Sequence, residues 1–206
     1  MTTPSFTHLG LSDEMTQALA QINYSEPTPI QYEAIPVLME GKDIIGQAAT
    51  GTGKTAAFAI PIIEKIIIDK RQIQAVVVCP TRELAIQVAD EFRKFSQFKA
   101  GLTVVSVYGG QPMERQRMAL HKRPQILIAT PGRMLDFLRR GAFHLNSVQT
   151  VVLDEADEML NMGFRDDIES IFEYIPTPRQ TVLFSATMPD PILRLTRQYQ
   201  ENPVRI

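Results

Sequence analysis

Tryptophan is absent from this chain of 206 residues, and cysteine occurs once, as Cys79. A single thiol forms no internal disulfide and cannot by itself build a zinc site, so a reducing, intracellular compartment is expected. No apolar run of about 18 residues occurs, which leaves no candidate for a membrane-spanning helix. The first residues show no basic stretch followed by an apolar one, so neither secretion nor anchoring is expected. Linkers rich in Gly, Ser and Pro, low-complexity tracts and internal repeats are also missing, which favours one domain. What is present is ordinary for a globular chain: 44% hydrophobic and 21% charged residues exclude a disordered or fibrous protein.

No sign of charge dominates, with 21 Lys and Arg against 23 Asp and Glu. The distribution is uneven, however. Residues 111–140 carry seven basic side chains against two acidic ones, whereas residues 150–175 carry eight acidic side chains and only Arg165 opposing them. Such segregation can make one face of a nearly neutral protein attractive to phosphate; solvated helix faces give the same pattern on charge alone.

Short runs rich in Val and Ile, at 43–47, 75–79, 103–108, 125–130, 150–154 and 181–185, read as strands. Most are continuously apolar, as expected of strands covered on both faces. Helical patterns lie between them at 54–68, 83–95, 112–121, 134–140, 164–174 and 190–199, with a further one at 14–20 ahead of a Pro-rich loop at 26–29. Strand and helix units in alternation predict an α/β domain with a mostly parallel sheet and helices on both faces. Phe58, Phe92, Phe95, Phe137 and Phe172 fall at helical spacing among aliphatics and are assigned to the core, as is Cys79. Ligands of such sheets collect beyond the carboxyl ends of the strands.

The first strand is followed by Ala48-Ala49-Thr50-Gly51-Thr52-Gly53-Lys54-Thr55, opening an apolar helix. This approximates the phosphate-binding pattern G-x-x-x-x-G-K-[ST] in its strand–loop–helix setting. Glycines let successive backbone N–H groups turn inward, the helix N-terminus adds a favourable dipole, Lys54 reaches the terminal phosphates and the Thr55 hydroxyl suits Mg²⁺. Ala48 replaces the first Gly of the pattern, which requires a negative φ there. At the end of a later strand, Asp154 and Glu155 supply a carboxylate for Mg²⁺ and a general base for water.

In this order the motifs resemble those of the DEAD-box RNA helicases of superfamily two, over nearly the whole chain. Asp154-Glu155-Ala156-Asp157 spells the signature. Tyr24-Ser25-Glu26-Pro27-Thr28-Pro29-Ile30-Gln31, with Phe6 upstream, is similar to the adenine-recognising Q motif, although Asn23 stands where many members carry Gly. Pro80-Thr81-Arg82-Glu83-Leu84-Ala85, Gly109-Gly110 and Thr130-Pro131-Gly132-Arg133 match the strand-end motifs that contact RNA, and Ser185-Ala186-Thr187 the motif that couples nucleotide state to RNA. The resemblance implies a RecA-like P-loop fold. It also implies ATP as substrate, with Mg²⁺ as cofactor.

The Gln31 amide carries a donor and an acceptor that suit adenine and not guanine, and Tyr24 or Phe6 would stack on the base. Hydroxyls and N–H groups at strand ends suit backbone phosphates, with Arg82 and Arg133 adding charge or pairing with acids. Asp157, Ser185 and Thr187 are the implied coupling residues.

Motifs of the family's second RecA-like lobe, including arginines that complete the ATP site, have no counterpart in the sequence. The whole chain, residues 1–206, is therefore expected to be a single N-terminal lobe, with a Q-motif region at 6–31 and an ATP-binding core at 42–206, cytoplasmic, monomeric and nearly inactive alone. Two other readings remain at this point: a P-loop nucleotide kinase or GTPase, and a nucleotide-regulated binding module without catalysis.

Overall fold

The computed structural model describes residues 5–49 and 51–206. A 3₁₀ turn at Phe6–Leu9 precedes α1 (Asp13–Gln21), α2 (Pro29–Met39), β1 (Ile44–Gln47), α3 (Lys54–Lys65), β2 (Ala75–Val78) and α4 (Arg82–Phe95). Then follow β3 (Val104–Val107), α5 (Met113–Leu120), β4 (Ile126–Ala129), α6 (Pro131–Arg139) and β5 (Thr150–Leu153). The chain continues with α7 (Ala156–Asn161), α8 (Arg165–Glu173), β6 (Gln180–Ser185), α9 (Asp190–Tyr199) and β7 (Val204–Arg205).

The six expected strands all form, and the two residues of β7 add a seventh at the sheet edge. The order is β3-β4-β2-β5-β6-β1-β7, with every pair parallel. Helix α7, at Ala156–Asn161, is not among the expected helices, α3 stops at Lys65 short of the expected 68, and α2 and α6 also depart from the expectations. Helix α2 occupies residues read as the end of a Pro-rich loop and beyond, because Pro29 sits at its first turn, where no N–H is needed, and the helix accommodates Pro36. Helix α6 starts at Pro131, directly after the strand-end Thr130, and not at 134.

Alternation along each strand divides the core in two. Ala75, Val77, Ile126, Ile128, Val152, Val182 and Phe184 face a cluster containing residues of α1 to α4. Val76, Val78, Leu127, Ala129, Val151, Leu153 and Leu183 face a cluster containing residues of α5 to α9. Crossovers that step toward β3 run through α3 and α4 on one face; those that step back run through helices on the other. A single crossover hand requires that division. Because β1 sends its helix to the first face and its neighbour β6 to the second, a crevice opens at their carboxyl ends.

The five phenylalanines assigned to the core are buried, as is Cys79. Burial and the nearby Asp154 and Glu155 carboxylates push the Cys79 thiol well above its ordinary pKa, so it stays a protonated hydrophobe. Beneath the crevice, Gly46 of β1 lies beside Phe184 of β6 in register, and a Cβ at Gly46 would stand 2.2 Å from the Phe184 ring. The glycine is thus a seat for the ring, which also contacts Phe58 at a 5.7 Å centroid distance. Gly46→Ala should destabilise the fold by about 1–3 kcal/mol through overpacking. A smaller residue at 184 should recover part of that loss, as measured by urea unfolding of single and double variants.

Candidate active site

Strand β1 ends at Gln47 and the loop turns under Gly51 (φ +86°) and Gly53 (φ +93°), left-handed conformations that favour glycine. Ala48 has no positive φ, as its replacement of glycine requires. Its N–H donates to the Ser185 carbonyl at 3.2 Å, tying the base of the loop to the end of β6. Thr52 Oγ1 donates to the Ala49 carbonyl at 2.9 Å. Thr50, a further phosphate-loop candidate, lies outside the described residues. Lys54 and Thr55 begin α3, with Gly53 as its N-cap and no side chain capping it there, so the helix end presents backbone N–H groups and its positive dipole.

Lys54 reaches the acid pair at the end of β5. Its Nζ lies 3.7 Å from Asp154 Oδ1 and 3.9 Å from Glu155 Oε1, with the Lys54 and Asp154 side chains 6% and 2% exposed. Asp154 Oδ1 is fully enclosed and accepts no hydrogen bond. Burial raises the Asp154 pKa to about 6, with Lys54 opposing the rise and Glu155 adding to it. Glu155 adopts φ 54° and ψ 53°, left-handed for a non-glycine residue, as the N-cap of α7. Strain of that kind persists where the surroundings dictate it and gathers at functional sites. It turns the chain so that the two adjacent carboxylates approach one ammonium group.

Asp157 stands one helical turn start further on and bridges to the end of β6. Its Oδ2 accepts from Thr187 N at 2.9 Å and from Thr187 Oγ1 at 2.7 Å, while Ser185 Oγ donates to the Thr187 carbonyl at 2.7 Å. Burial pushes the Asp157 carboxyl upward, but hydrogen bonds from Thr187 and Ser185 and from backbone amides outweigh it and hold the pKa below the ordinary value. The three implied coupling residues therefore do meet.

Gln31 is buried at 1% exposure against the same loop. Its Nε2 donates to the Gly53 carbonyl at 3.1 Å and its Oε1 accepts from Thr28 N at 2.9 Å. Thr28 and Gln31 form a capping box for α2, a pattern legible as Thr-x-x-Gln. A Cβ at Gly53 would meet Gln31 Nε2 at 2.5 Å, so glycine there serves this contact as well as the turn. The two aromatic candidates stand differently. Phe6 is 5% exposed within the core, 6.4 Å from the Tyr24 ring, and Tyr24 meets Phe95 edge-on at 5.7 Å. Asn23, where many resembling proteins carry Gly, has φ 58°, a conformation Asn tolerates better than most residues.

A second group occupies the carboxyl ends of β2, β3 and β4. Pro80 lies two residues past the end of β2; Thr81 caps α4, accepting from Leu84 N at 3.2 Å. The Arg82 guanidinium lies over the Tyr108 ring at 5.3 Å, and a Cβ at Gly110 (φ +79°) would stand 3.3 Å from it. Gly109 has open space around it. Thr130, 9% exposed, is the N-cap of α6; Pro131 and Gly132 form the helix's first turn, and Arg133 Nη1 donates to the Gln111 carbonyl at 2.9 Å. One contributor went unread in the sequence. Gln116, 2% exposed, brackets the Tyr108 backbone, accepting from its N–H at 3.1 Å and donating to its carbonyl at 2.9 Å. The only hint was a Gln set between Arg115 and Arg117.

A glycine loop on a helix N-terminus, a buried lysine and an acid pair, all at the carboxyl edge of one parallel sheet, define an α/β nucleotide-binding domain of the P-loop class. A family model for the DEAD/DEAH box helicases matches residues 28–195, and the chain belongs to that family. It is 54% identical to the DEAD-box ATP-dependent RNA helicase CshA of Geobacillus kaustophilus over 199 residues, 97% of this chain and 42% of the relative. CshA of Bacillus subtilis is 52% identical, covering 99% of this chain and 41% of the relative. Among solved structures, a DEAD box protein from the hyperthermophile Methanococcus jannaschii superposes with a TM-score of 0.93 at 42% identity, over 98% of this chain and 55% of that one. The chain thus spans about two fifths of the length of the curated relatives it matches. None of its described helices is long and apolar enough to cross a membrane.

The burial of Asp154 has a measurable consequence. Its folded pKa, about 6, lies above the ordinary value of 3.8, so the folded state takes up this proton before the unfolded chain does. The carboxylate therefore opposes folding above pH 6, and the penalty fades as pH falls toward 4. Asp154→Asn should stabilise the ligand-free protein at pH 8 by on the order of 1–3 kcal/mol. The gain should vanish near pH 4, measured by calorimetry across that range.

Proposed function

We propose that this chain is the ATP- and RNA-binding N-terminal lobe of an ATP-dependent RNA helicase, which hydrolyses ATP to drive local duplex unwinding or remodelling of RNA–protein complexes. One observation carries the reading: a glycine loop, Lys54 and an enclosed, hydrogen-bond-free Asp154 oxygen converge at one crevice, beside a second row of strand ends suited to phosphates. The curated relatives are named ATP-dependent RNA helicases, which supports it.

In this reading the loop N–H groups and the N-terminus of α3 receive the triphosphate. Lys54, already held between two carboxylates, exchanges part of that pairing for the terminal phosphates. The donor set fits a hard cation: a buried carboxylate oxygen that accepts no hydrogen bond is an available ligand, and the Thr55 hydroxyl at the start of α3 is a second. Thr55 and Asp154 would hold Mg²⁺, which when bound neutralises phosphate charge. Glu155, about a quarter exposed, borders the site from a rigid, strained N-cap, as suits a base that orients and deprotonates water. Gln31 reads adenine once its amide leaves Gly53 and Thr28, and Tyr24 and Phe6 support that segment.

The ends of β2, β3 and β4 hold the RNA backbone. Thr81, Gly110 and Thr130 offer hydroxyl and amide donors at helix starts, while Arg82 and Arg133 add charge. Contacts to phosphate and sugar imply weak sequence preference. Asp157, with Ser185 and Thr187, links the nucleotide loop to the neighbouring strand end. A second RecA-like lobe would supply the arginines worth roughly 10³–10⁵ in rate in P-loop enzymes, so this lobe alone should turn over slowly.

Titration with a fluorescent ATP analogue tests the nucleotide half. Lys54→Ala should abolish binding, and Gln31→Ala should erode preference for ATP over GTP. Glu155→Gln should retain binding yet, with the second lobe supplied in trans, lose roughly 10²–10⁴ of RNA-stimulated hydrolysis. Unchanged ATP affinity in Lys54→Ala would refute the reading. Arg82→Ala should weaken single-stranded RNA binding to a similar degree whatever the sequence, and lower the salt slope by about 1. Filter binding at several ionic strengths checks both effects.

A further inference from the structure

The basic run at 111–140 is only partly used by the strand-end motifs, which leaves His121, Lys122, Arg123, Arg139 and Arg140 unassigned. Of these, His121 and Arg123 meet at the opposite, amino-terminal edge of the sheet. There the segments leading into β2 and β4 and the connection from α6 to β5 border an open pocket of about 460 Å³. Ile73 (4% exposed), Leu120 (6% exposed) and half-buried Phe143 line its apolar part. Arg71, His121, Arg123 and His144 also line it, and no acidic side chain does. Among the described residues, neither Arg71 nor Arg123 pairs with a carboxylate. The Gln72 and Ser147 side chains hydrogen-bond to each other, joining the β2 segment to the 142–147 connection.

We infer that this pocket is a binding site for a small organic phosphate, separate from the nucleotide crevice. Its volume falls within the range of small-molecule sites, and its mostly polar, cationic lining around a small apolar floor suits an anionic ligand with an apolar body. Two guanidinium groups without carboxylate partners match a dianion: each offers forked donors that fit phosphate oxygens, and no neighbouring acid competes. The floor made by Ile73, Leu120 and Phe143 takes the apolar or aromatic body that carries the phosphate. Phosphate is favoured over a monocarboxylate because four cationic or potentially cationic groups surround one space. The site lies at the starts of β2 and β4, whose far ends carry Thr81 and Thr130, so it does not depend on the function proposed for that edge.

The test is a backbone amide NMR titration of the 206-residue chain with phenyl phosphate, with inorganic phosphate and benzyl alcohol as separate arms. Phenyl phosphate should produce saturable shifts at residues 71–73, 121–124 and 142–147. Combined Arg71→Gln and Arg123→Asn should weaken that binding roughly tenfold or more, since two charge-assisted contacts are lost. Lys54→Ala should leave it unchanged, while any binding at the phosphate loop disappears in that variant. Inorganic phosphate should bind the same residues more weakly. Shifts confined to residues 48–55, equal affinity for benzyl alcohol, or indifference to the arginine substitutions would each overturn the assignment.

Discussion

Two carboxylates and one ammonium group share a nearly dry space at the carboxyl ends of β1 and β5, and the rest of the site is arranged around that fact. Lys54 cannot balance both Asp154 and Glu155 fully, and its distances of 3.7 and 3.9 Å are those of charge attraction and not of close hydrogen bonding. Burial of charges in imperfect pairing lowers stability, and a more apolar arrangement of the same volume would fold better. The surrounding fold tolerates the cost because β5 is fully buried and lies between β2 and β6, and β1 is itself mostly buried beside β6. The arrangement makes sense for a site that expects further charge. A triphosphate with its metal would satisfy the lysine, the orphaned Asp154 oxygen and the loop amides together.

All-parallel pairing makes this concentration possible. Each strand ends at the same edge, so residues far apart in sequence meet without long loops. Ser185 accepts from Ala48, and Thr187 is held by Asp157, across 137 and 30 residues of chain respectively. The phosphate loop and Asp157 are therefore both hydrogen-bonded to the end of β6, while Lys54 ties the loop to the acid pair by charge attraction. A second unit, joined by Arg82 over Tyr108 and by Gln116 around the Tyr108 backbone, sits at β2, β3 and β4. Strands β2 and β5 are neighbours in the sheet, so the two units adjoin through rigid elements, as the proposed function requires.

Much of this was legible in the sequence for simple reasons. Buried parallel strands are apolar on both faces, which marks them as continuous Val and Ile runs, and each ends in residues unlike its own interior. What escaped notice had weaker local signals. Strand β7 is two residues long and depends on pairing with β1, together with Gln200 and Asp43 holding the adjacent chain. Helix α2 is punctuated by Pro29 and Pro36, so its period is obscured although its first turn tolerates proline well. The strained backbone at Glu155 is invisible in a list of residue types, because only the three-dimensional demand on its carboxylate fixes that conformation.

Gln31 shows how little a residue's identity says of its state in the fold. As a reader of adenine it would use one donor and one acceptor, yet both are engaged here, with the Gly53 carbonyl and the Thr28 amide. The same geometry that makes the side chain a capping box also makes it a strut under the phosphate loop. Under the proposed function, a base that takes over these hydrogen bonds must replace them one for one, since a buried amide left unpaired costs more than a bond gained. Only a base with the complementary donor and acceptor order can do so. Contact with the base would then release the carbonyl at the N-cap of α3, so that recognition of adenine and the shape of the phosphate loop are set by one side chain.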